Sequence, residues 1–314
     1  MNDSCIFGPV ASRRLGSSLG VDMTPAKFCT LNCVYCECGK TTRLTMRRDE
    51  YIPFEKIRHD IETALADTPE LDVITFCGSG EPTLNTALGP SITYTKSRYP
   101  QYRTAVLTNA TLLHDPQVRS EVARADLVLP SLDAVSQEIF EKINRPDPTI
   151  TASLITEGLL AFAREYSTPV WLEIFIIEGI NDLPDELHKF RNIVEKVNPR
   201  RIHLNSLDRP GTCSWVKPAS SQRLTTIAQY FTPWPVEISS RDVLPTLTLR
   251  TVQQAHRKII TTIQRRPCTV EELSSLIGQS INQTNALLHS LIDKQKVVEK
   301  KEGDITFYTA ASSQ

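Results

Sequence analysis

Between residues 52 and 207 the chain alternates between two spacings of apolar residues. Short apolar runs bounded by turn residues predict buried strands, and apolar residues recurring every three or four positions predict helices. After a first strand near residues 19–23, preceded by a glycine-containing loop from residue 7, five more strands are predicted, at 71–76, 102–107, 127–129, 170–177 and 201–207. Helical spacing is clearest over 54–66, 150–164 and 185–197.

This alternation predicts right-handed β-α-β units and a mainly parallel sheet. Counting the first strand, there are about six units, fewer than the eight of a closed barrel. Polar residues follow each strand, at the carboxyl edge where parallel α/β sheets hold their ligands. We therefore predict an α/β fold, a partial (β/α)6 TIM-like barrel, with a doubly wound sheet as the alternative.

The pattern changes after the proline-containing segment 232–248, which predicts a linker or a last strand. Helices are predicted over 252–264, 269–277 and 280–294, and strands over 296–299 and 305–308. Thr269 is a candidate N-cap with Glu272 three residues later, and Gly278 is a candidate stop signal. Three helices and a hairpin predict a winged helix-turn-helix. The domains are then 1–235, a linker at 236–250, and 251–314.

Composition adds limits to this picture. Of 314 residues 40% are hydrophobic and 23% charged, as in an ordinary globular protein. A net charge of −1 argues against a broad phosphate-binding surface. No apolar run approaches the ~20 residues that cross a bilayer, and the first residues lack a secretory pattern. We expect a cytoplasmic protein without a membrane partner, in which clustered thiols suggest metal before disulfide.

Three cysteines in one loop carry the first candidate chemistry. Cys29, Cys33 and Cys36 are separated by three and two residues. A [4Fe–4S] cluster normally takes four protein ligands, so three thiolates would leave one iron open for a small molecule. Cys38 keeps two alternatives open, a four-thiolate zinc site and a closed four-cysteine cluster, although a Cys-x-Cys step is shorter than the usual zinc spacing.

A second candidate element, Cys77–Gly78–Ser79–Gly80–Glu81–Pro82, directly follows a predicted strand. Glycines there let backbone groups approach a ligand closely. A carboxylate such as that of Glu81 can accept hydrogen bonds from an ammonium group. Alone, such a turn indicates only a tight loop.

Together, the cysteine triad and this turn resemble the radical S-adenosylmethionine (SAM) superfamily. The resemblance covers residues 7–208 and implies that Cys29, Cys33 and Cys36 hold a [4Fe–4S] cluster whose fourth iron is chelated by SAM. It places Tyr35 near the adenine, and Ser79, Gly80 and Glu81 at the methionine amino group, with Ser79 replacing a glycine of the family motif. Further candidates for SAM binding stand at strand ends, where ordinary capping is the alternative: Asn109, Ser131, Asp133 and Asn205.

Charged residues within this part have two interpretations each. Arg13 and Arg14 are either a solvated pair or lie beside an anionic ligand at the barrel mouth. Glu173 lies inside an apolar strand, where a carboxylate is costly unless it is paired or faces a polar lumen. His203 alternates with Asn205 and is expected to point into the barrel.

The resemblance implies an enzyme that reductively cleaves SAM to a 5′-deoxyadenosyl radical, which abstracts hydrogen from a substrate. It requires a one-electron donor, flavodoxin- or ferredoxin-like. The lead-in FGPVASRRLGSSLGVD and the segment LNSLDRPG resemble the branch with wybutosine-type tRNA modification enzymes, although a second cluster and a substrate lysine are not evident.

The substrate stays open among RNA, a peptide and a protein, delivered through the winged-helix domain. Residues 251–314 contain eight Lys or Arg against six Asp or Glu, less basic than a DNA-reading domain usually is. Asn282, Gln283 and Asn285, near the start of the third helix, are of types that read adenine, but also suit a solvated surface. The alternative class is a regulator with an Fe–S or zinc site that senses redox state and binds DNA.

Overall fold

The computed structural model describes residues 4–12, 14–66, 69–238 and 252–311. Arg13 and most of the expected linker at 236–250 therefore lie outside the described residues. Within these ranges no helix is both long and apolar enough to cross a membrane.

The strands form one five-stranded sheet, one three-stranded sheet and two pairs of strands. They are β1 Ile6–Ser12, β2 Gly16–Asp22, β3 Phe28–Cys29, β4 Arg43–Leu44, β5 Val73–Cys77, β6 Arg103–Thr108, β7 Leu127–Pro130, β8 Trp171–Phe175, β9 Arg201–Asn205, β10 Val236–Ile238, β11 Val297–Glu302 and β12 Ile305–Ala310. The helices are α1 Phe54–Leu65, α2 Leu88–Arg98, α3 Pro116–Val122, α4 Gln137–Asn144, α5 Ala152–Glu165, α6 Pro184–Val197, α7 Ser221–Tyr230, α8 Val252–Ile263, α9 Val270–Ile277 and α10 Ile281–Asp293.

The parallel strands pair in the order in which they occur in the chain. The order is β1-β2-β5-β6-β7 in one sheet and β8-β9-β10 in the next. Two parallel bridges, Val128 to Val170 and Ser131 to Glu173, join β7 to β8. A doubly wound sheet would reverse its order at a switch point, so this order excludes that alternative. Because no described pairing joins β1 to β10, the sheet is open and agrees with a partial barrel.

Two parts of the sheet differ from the sequence prediction. The segment predicted as a loop from residue 7 forms β1, which pairs antiparallel with β2. Its glycines suggested a loop, but Gly16 supplies the positive φ of +74° just where the hairpin turns. The stretch 232–248, predicted as a linker or a last strand, contributes the short strand β10, which pairs with β9, so the sheet extends three residues beyond the predicted boundary at 235.

The two faces of the sheet are buried against different partners. Strand residues such as Ile74, Val128 and Ile174 belong to the large core that also holds the helical residues Phe162 and Phe190. Their neighbours in the strands form a separate apolar cluster on the concave face. We call this cluster the lumen floor; it consists of Val73, Ala105, Leu127 and Leu129.

The C-terminal unit has the predicted order of elements, α8, α9, α10 and the β11–β12 hairpin. Thr269 and Glu272 form the expected capping box at α9, and Gly278 ends that helix in the left-handed conformation. The unit has its own core, against which Val10 of β1 packs. The C-terminal unit is thereby fixed to the open edge of the barrel.

Candidate functional site

The segment from Cys29 to Cys38, here called the cysteine loop, is anchored on several sides. The Thr30 and Thr111 hydroxyls are hydrogen-bonded at 2.8 Å. The Val34 amide donates to the carbonyl of Ile143, 2.9 Å away, at the end of α4. On the other side, the Cys213 amide donates to the Val34 carbonyl at 3.0 Å. Segments that follow β6, β7 and β9 thus hold the loop at the carboxyl end of the barrel.

Each of the three cysteine sulfurs accepts a hydrogen bond from a different nitrogen. The donors and distances are Asn109 Nδ2 to Cys29 Sγ at 3.6 Å, Asn144 Nδ2 to Cys33 Sγ at 3.4 Å, and Lys27 Nζ to Cys36 Sγ at 3.0 Å. Such donors stabilise thiolates and tune the reduction potential of Fe–S clusters. The donor set therefore fits a cluster bound by three thiolates.

The three thiols differ in acidity. Burial raises the pKa of Cys29 to about 12 and that of Cys33 well above its usual value. A hydrogen bond from the Cys38 thiol, assisted by the Lys27 ammonium, lowers the pKa of Cys36 to about 5. Cys36 is thus the most acidic of the three thiols, and all three bind iron as thiolates.

Cys38 lies beside Cys36, as its effect on the Cys36 pKa shows. Among the residues that the structure describes, no three His, Cys, Asp or Glu side chains are arranged to hold a single metal ion. Zinc would need its ligands around one point, whereas each thiolate of a [4Fe–4S] cluster binds a different iron. The arrangement gives the zinc alternative no support.

The turn after β5 is docked on Lys27 and Phe28, the two residues that lead into the cysteine loop. The Glu81 amide donates to the Phe28 carbonyl at 3.0 Å. A Cβ at Gly80 would lie 1.8 Å from that same carbonyl oxygen, so only glycine fits there. The Ser79 hydroxyl accepts a 3.4 Å hydrogen bond from the amide of Lys27. The two motifs behind the resemblance, some forty residues apart, are therefore held beside each other through Lys27 and Phe28.

Glu81 is almost fully buried, with 1% of its surface exposed. Its Oε1 accepts hydrogen bonds from the Thr83 amide (3.1 Å) and from the hydroxyls of Thr83 and Thr108 (2.6 Å each). Its Oε2 accepts from the Asn109 amide at 2.8 Å. Burial raises the pKa of Glu81, and these hydrogen bonds oppose the rise. Glu81 braces the turn against β6, and a further donor would have to bind at Oε2.

A second group of contacts surrounds Asp133. Its carboxylate accepts hydrogen bonds from the Tyr35 hydroxyl, from Asn144 Nδ2 at 2.9 Å and from the Phe175 amide at 3.0 Å. The Tyr35 ring stacks on Phe175, with ring centres 3.8 Å apart. Because Asn144 also donates to Cys33, this group is continuous with the cysteine loop.

The structure thus joins most of the predicted site residues. Cys29, Glu81 and Asn109 are linked through one set of hydrogen bonds, and Cys33, Tyr35 and Asp133 through the other. Ser131 and Asn205 lie half-buried at the carboxyl ends of β7 and β9. Their predicted role in binding SAM stays a prediction.

Sequence reasoning missed two of the three donors to the cysteine sulfurs. Lys27 carried no pattern, since one lysine two residues before a cysteine is common. Asn144 ends a helix, where a polar residue is ordinary. Asn109 was singled out only because it follows a strand, a signal that applies to any residue at the carboxyl edge.

Below the site, the charged residues of the barrel interior are paired. Arg14 forms an ion pair with Glu173, which supplies the partner that a buried carboxylate requires. His203 is fully buried beside Trp171, and burial lowers its pKa to about 3. Its ring is therefore neutral over the physiological range.

Comparison with known proteins identifies the class. The family model of the Radical SAM superfamily matches residues 23–191, more than half of the chain, and the chain belongs to that superfamily. Membership implies SAM and a [4Fe–4S] cluster as cofactors, and the general activity of a SAM-cleaving radical enzyme. This agrees with the geometry of the cysteine loop and the adjoining turn.

Individual relatives share about a third of their residues with this chain, or fewer. The chain is 32% identical over 309 residues to a UPF0026 protein of Helicobacter pylori, covering 97% of both chains. It is 32% identical over 304 residues to a protein of Brachyspira hyodysenteriae named GTPase Obg, covering 96% of this chain but only 45% of that one. The structure of Streptococcus suis SuiB bound to its precursor peptide SuiA matches with a TM-score of 0.55 at 12% identity, over 73% of this chain and 50% of that chain. That likeness shows the fold alone.

Proposed function

We propose that this chain is a radical SAM enzyme that binds one [4Fe–4S] cluster through Cys29, Cys33 and Cys36 and abstracts hydrogen from a substrate. When bound and reduced, the cluster and SAM supply a 5′-deoxyadenosyl radical. The observation that carries the proposal is the set of three nitrogen donors, one for each sulfur. Three thiolates prepared in this way suit a cluster with an open iron.

The surrounding residues hold the site in place. Gly80 allows the turn to meet Phe28 beside the cysteine loop, and Glu81 fixes that turn to β6. We propose that Tyr35, Asn109, Asp133, Ser131 and Asn205 surround the remainder of SAM at the strand ends. Underneath lies the apolar lumen floor.

The role of the C-terminal unit and the identity of the partners are also proposals. Three helices and a hairpin suit a winged helix, but Gln283 accepts hydrogen bonds from Ser280 as a helix cap, which uses the amide oxygen that would read a base. RNA, including tRNA as in the wybutosine branch, a peptide and a protein remain proposed substrates, and a flavodoxin- or ferredoxin-like protein the proposed electron donor. None of the matches found favours a DNA-binding regulator.

The proposal is tested by anaerobic reconstitution of the full chain with iron and sulfide, followed by reduction in the presence of SAM. We expect 5′-deoxyadenosine and methionine, measured by liquid chromatography with mass detection. A protein that carries the cluster, binds DNA according to its redox state and yields no 5′-deoxyadenosine would instead be the regulator.

A further inference from the structure

A cavity of about 290 Å³ lies between the concave face of the barrel and the C-terminal unit. Cys38 of the cysteine loop and Gly78 and Ser79 of the adjoining turn form one part of its wall. Thr75 and Leu107 of the barrel interior form another. The cavity therefore borders the proposed site of radical formation and extends into the lumen, which is the location a substrate needs.

Four arginines from three parts of the chain border this cavity. Arg14 comes from the β1–β2 turn, Arg209 from the segment after β9, and Arg265 and Arg266 from the segment after α8. Glu37 is the one carboxylate among the described lining residues. Four guanidinium groups around one small cavity are an unusual concentration in a chain whose net charge is −1.

The arginines also have carboxylate partners within the protein. Arg14 pairs with Glu173, and Arg266 with Glu272 at 3.3 Å. Arg209 pairs with Glu37 at 3.0 Å, with Asp208 at 3.5 Å and with Glu272, and Arg265 lies 3.4 Å from Asp22. Asp22, Glu173 and Glu272 are not among the lining residues. Four of the five charged residues in the wall are therefore positive.

One of these arginines retains an unused donor. The Nε atom of Arg209 is buried and has no hydrogen-bond acceptor among the described residues, whereas Nε of Arg265 lies 3.4 Å from a carboxylate oxygen of Asp22. The Arg209 side chain is only 5% exposed, so water does not readily satisfy it. An arginine carries five N–H donors, and a buried donor without an acceptor is costly. A ligand rich in anionic oxygen would supply the missing acceptor, because guanidinium groups match carboxylate and phosphate groups.

We propose that this cavity binds the substrate, that the substrate is a small organic anion bearing a carboxylate or a phosphate, and that the C-terminal unit forms one wall of the active site through Arg265 and Arg266. The proposal rests on the proposed function, since it places hydrogen abstraction beside the cysteine loop. The volume corresponds to about ten water molecules, so this proposal replaces the RNA, peptide or protein substrates named above with a metabolite-sized anion. The proposal gives the C-terminal unit a role in binding the substrate of its own chain.

The test is a calorimetric titration of the reconstituted full chain with inorganic phosphate and, separately, with malonate, both with saturating SAM and without it. Saturating SAM fills its own site, so that the probes report on another one. We expect at least one probe to bind, and the tighter one to tell phosphate from carboxylate. Arg266→Gln should weaken that binding about tenfold or more. Arg266 is chosen because Glu272 keeps Arg209 as a partner when Arg266 is replaced.

Arg265→Lys is the second variant, because it keeps a positive charge beside Asp22 but loses the planar fork, and an intermediate affinity is expected. Arg58→Gln is the matched control: Arg58 lies on α1, paired with Glu55 and Glu62, and should bind the probe as the wild type does. Circular dichroism and thermal melting verify folding of each variant.

Absence of binding, or equal binding by wild type, Arg266→Gln and Arg265→Lys, would overturn the proposal. SAM cleavage by the wild type is measured in the same preparation and judges the proposed function separately. Cleavage without anion binding removes only the cavity proposal. Anion binding that depends on Arg266 in a protein unable to cleave SAM keeps the anion site and removes the radical chemistry.

Discussion

The floor and the rim of the barrel interior are built from the same strands but differ in kind. Within the strands, the inward-facing residues Val73, Ala105, Leu127 and Leu129 pack together as an apolar cluster. At the carboxyl ends, the same strands lead into Glu81, Asn109 and Asp133, whose hydrogen bonds run to the cysteine loop. In barrels of parallel strands, one end serves stability and the other carries the chemistry.

The rim also shows how the buried carboxylates of Glu81 and Asp133 are tolerated, whereas Glu173, inside β8, is held by an ion pair with Arg14. Glu81 and Asp133 each accept at least three hydrogen bonds. To supply these hydrogen bonds, irregular segments must bring amides and hydroxyls toward the carboxylate. Irregular segments of this kind occur where the strands end. Within the floor, regular strands commit their backbone groups to the sheet and could not supply them.

The largest expected effect comes from the cysteine loop. Cys33→Ala should abolish both the cluster and SAM cleavage, because only two of the three proposed cysteine ligands would remain to hold the cluster. Cys38→Ala is the matched control and should keep both. Iron content, visible absorbance and 5′-deoxyadenosine formation are measured on the reconstituted variants. If Cys38→Ala loses the cluster while Cys33→Ala keeps it, the assignment of ligands is incorrect.

Much of this contrast could be predicted from the sequence. Strands at 71–76, 102–107 and 201–207 follow from apolar runs, and the structure places each within two residues of the expected bounds. The cysteine triad and the turn at Glu81 follow from spacing and residue type. Both depend on local patterns, which a single sequence displays.

Contacts between distant segments could not be predicted in this way. Nothing local relates Lys27 to Cys36, Asn144 to Cys33, or Arg14 to Glu173, since side-chain geometry and the curvature of the sheet decide these pairs. The glycines near β1 and β2 indicate a loop by sequence alone, whereas in the fold Gly16 shapes the turn of the β1–β2 hairpin. The arginines after α8 reach the barrel only because the C-terminal unit packs on β1.

A substitution in the floor should separate stability from chemistry. Leu129 is fully buried, and Leu129→Ala should lower the free energy of unfolding by about 2–5 kcal/mol through lost burial and the remaining cavity. At a temperature where the variant is folded, cluster content and SAM affinity should match the wild type. Chemical denaturation and SAM titration measure the two effects.

The control for this substitution is Leu183→Ala, at a leucine that is 48% exposed. It should change the free energy of unfolding by no more than about 0.5 kcal/mol. A Leu129→Ala protein that unfolds like the control would show that the floor is loosely packed. One that folds well but loses SAM binding would show that floor and rim are coupled.

The smallest effect is expected at Tyr35. Tyr35→Phe keeps the ring stacked on Phe175 but removes the hydroxyl that donates to Asp133. Asp133 retains Asn144 and the Phe175 amide as donors, so the loss should be about 1 kcal/mol of unfolding free energy. If Asp133 contacts SAM, its altered position should also weaken SAM binding several-fold.

Tyr102→Phe is the matched control, because Tyr102 is a buried tyrosine that donates to the Pro69 carbonyl at 2.7 Å, away from the rim. Both variants should lose similar stability, and only Tyr35→Phe should change the SAM dissociation constant; equal SAM affinity in the two would separate Asp133 from the SAM site and leave it a purely structural brace of the cysteine loop.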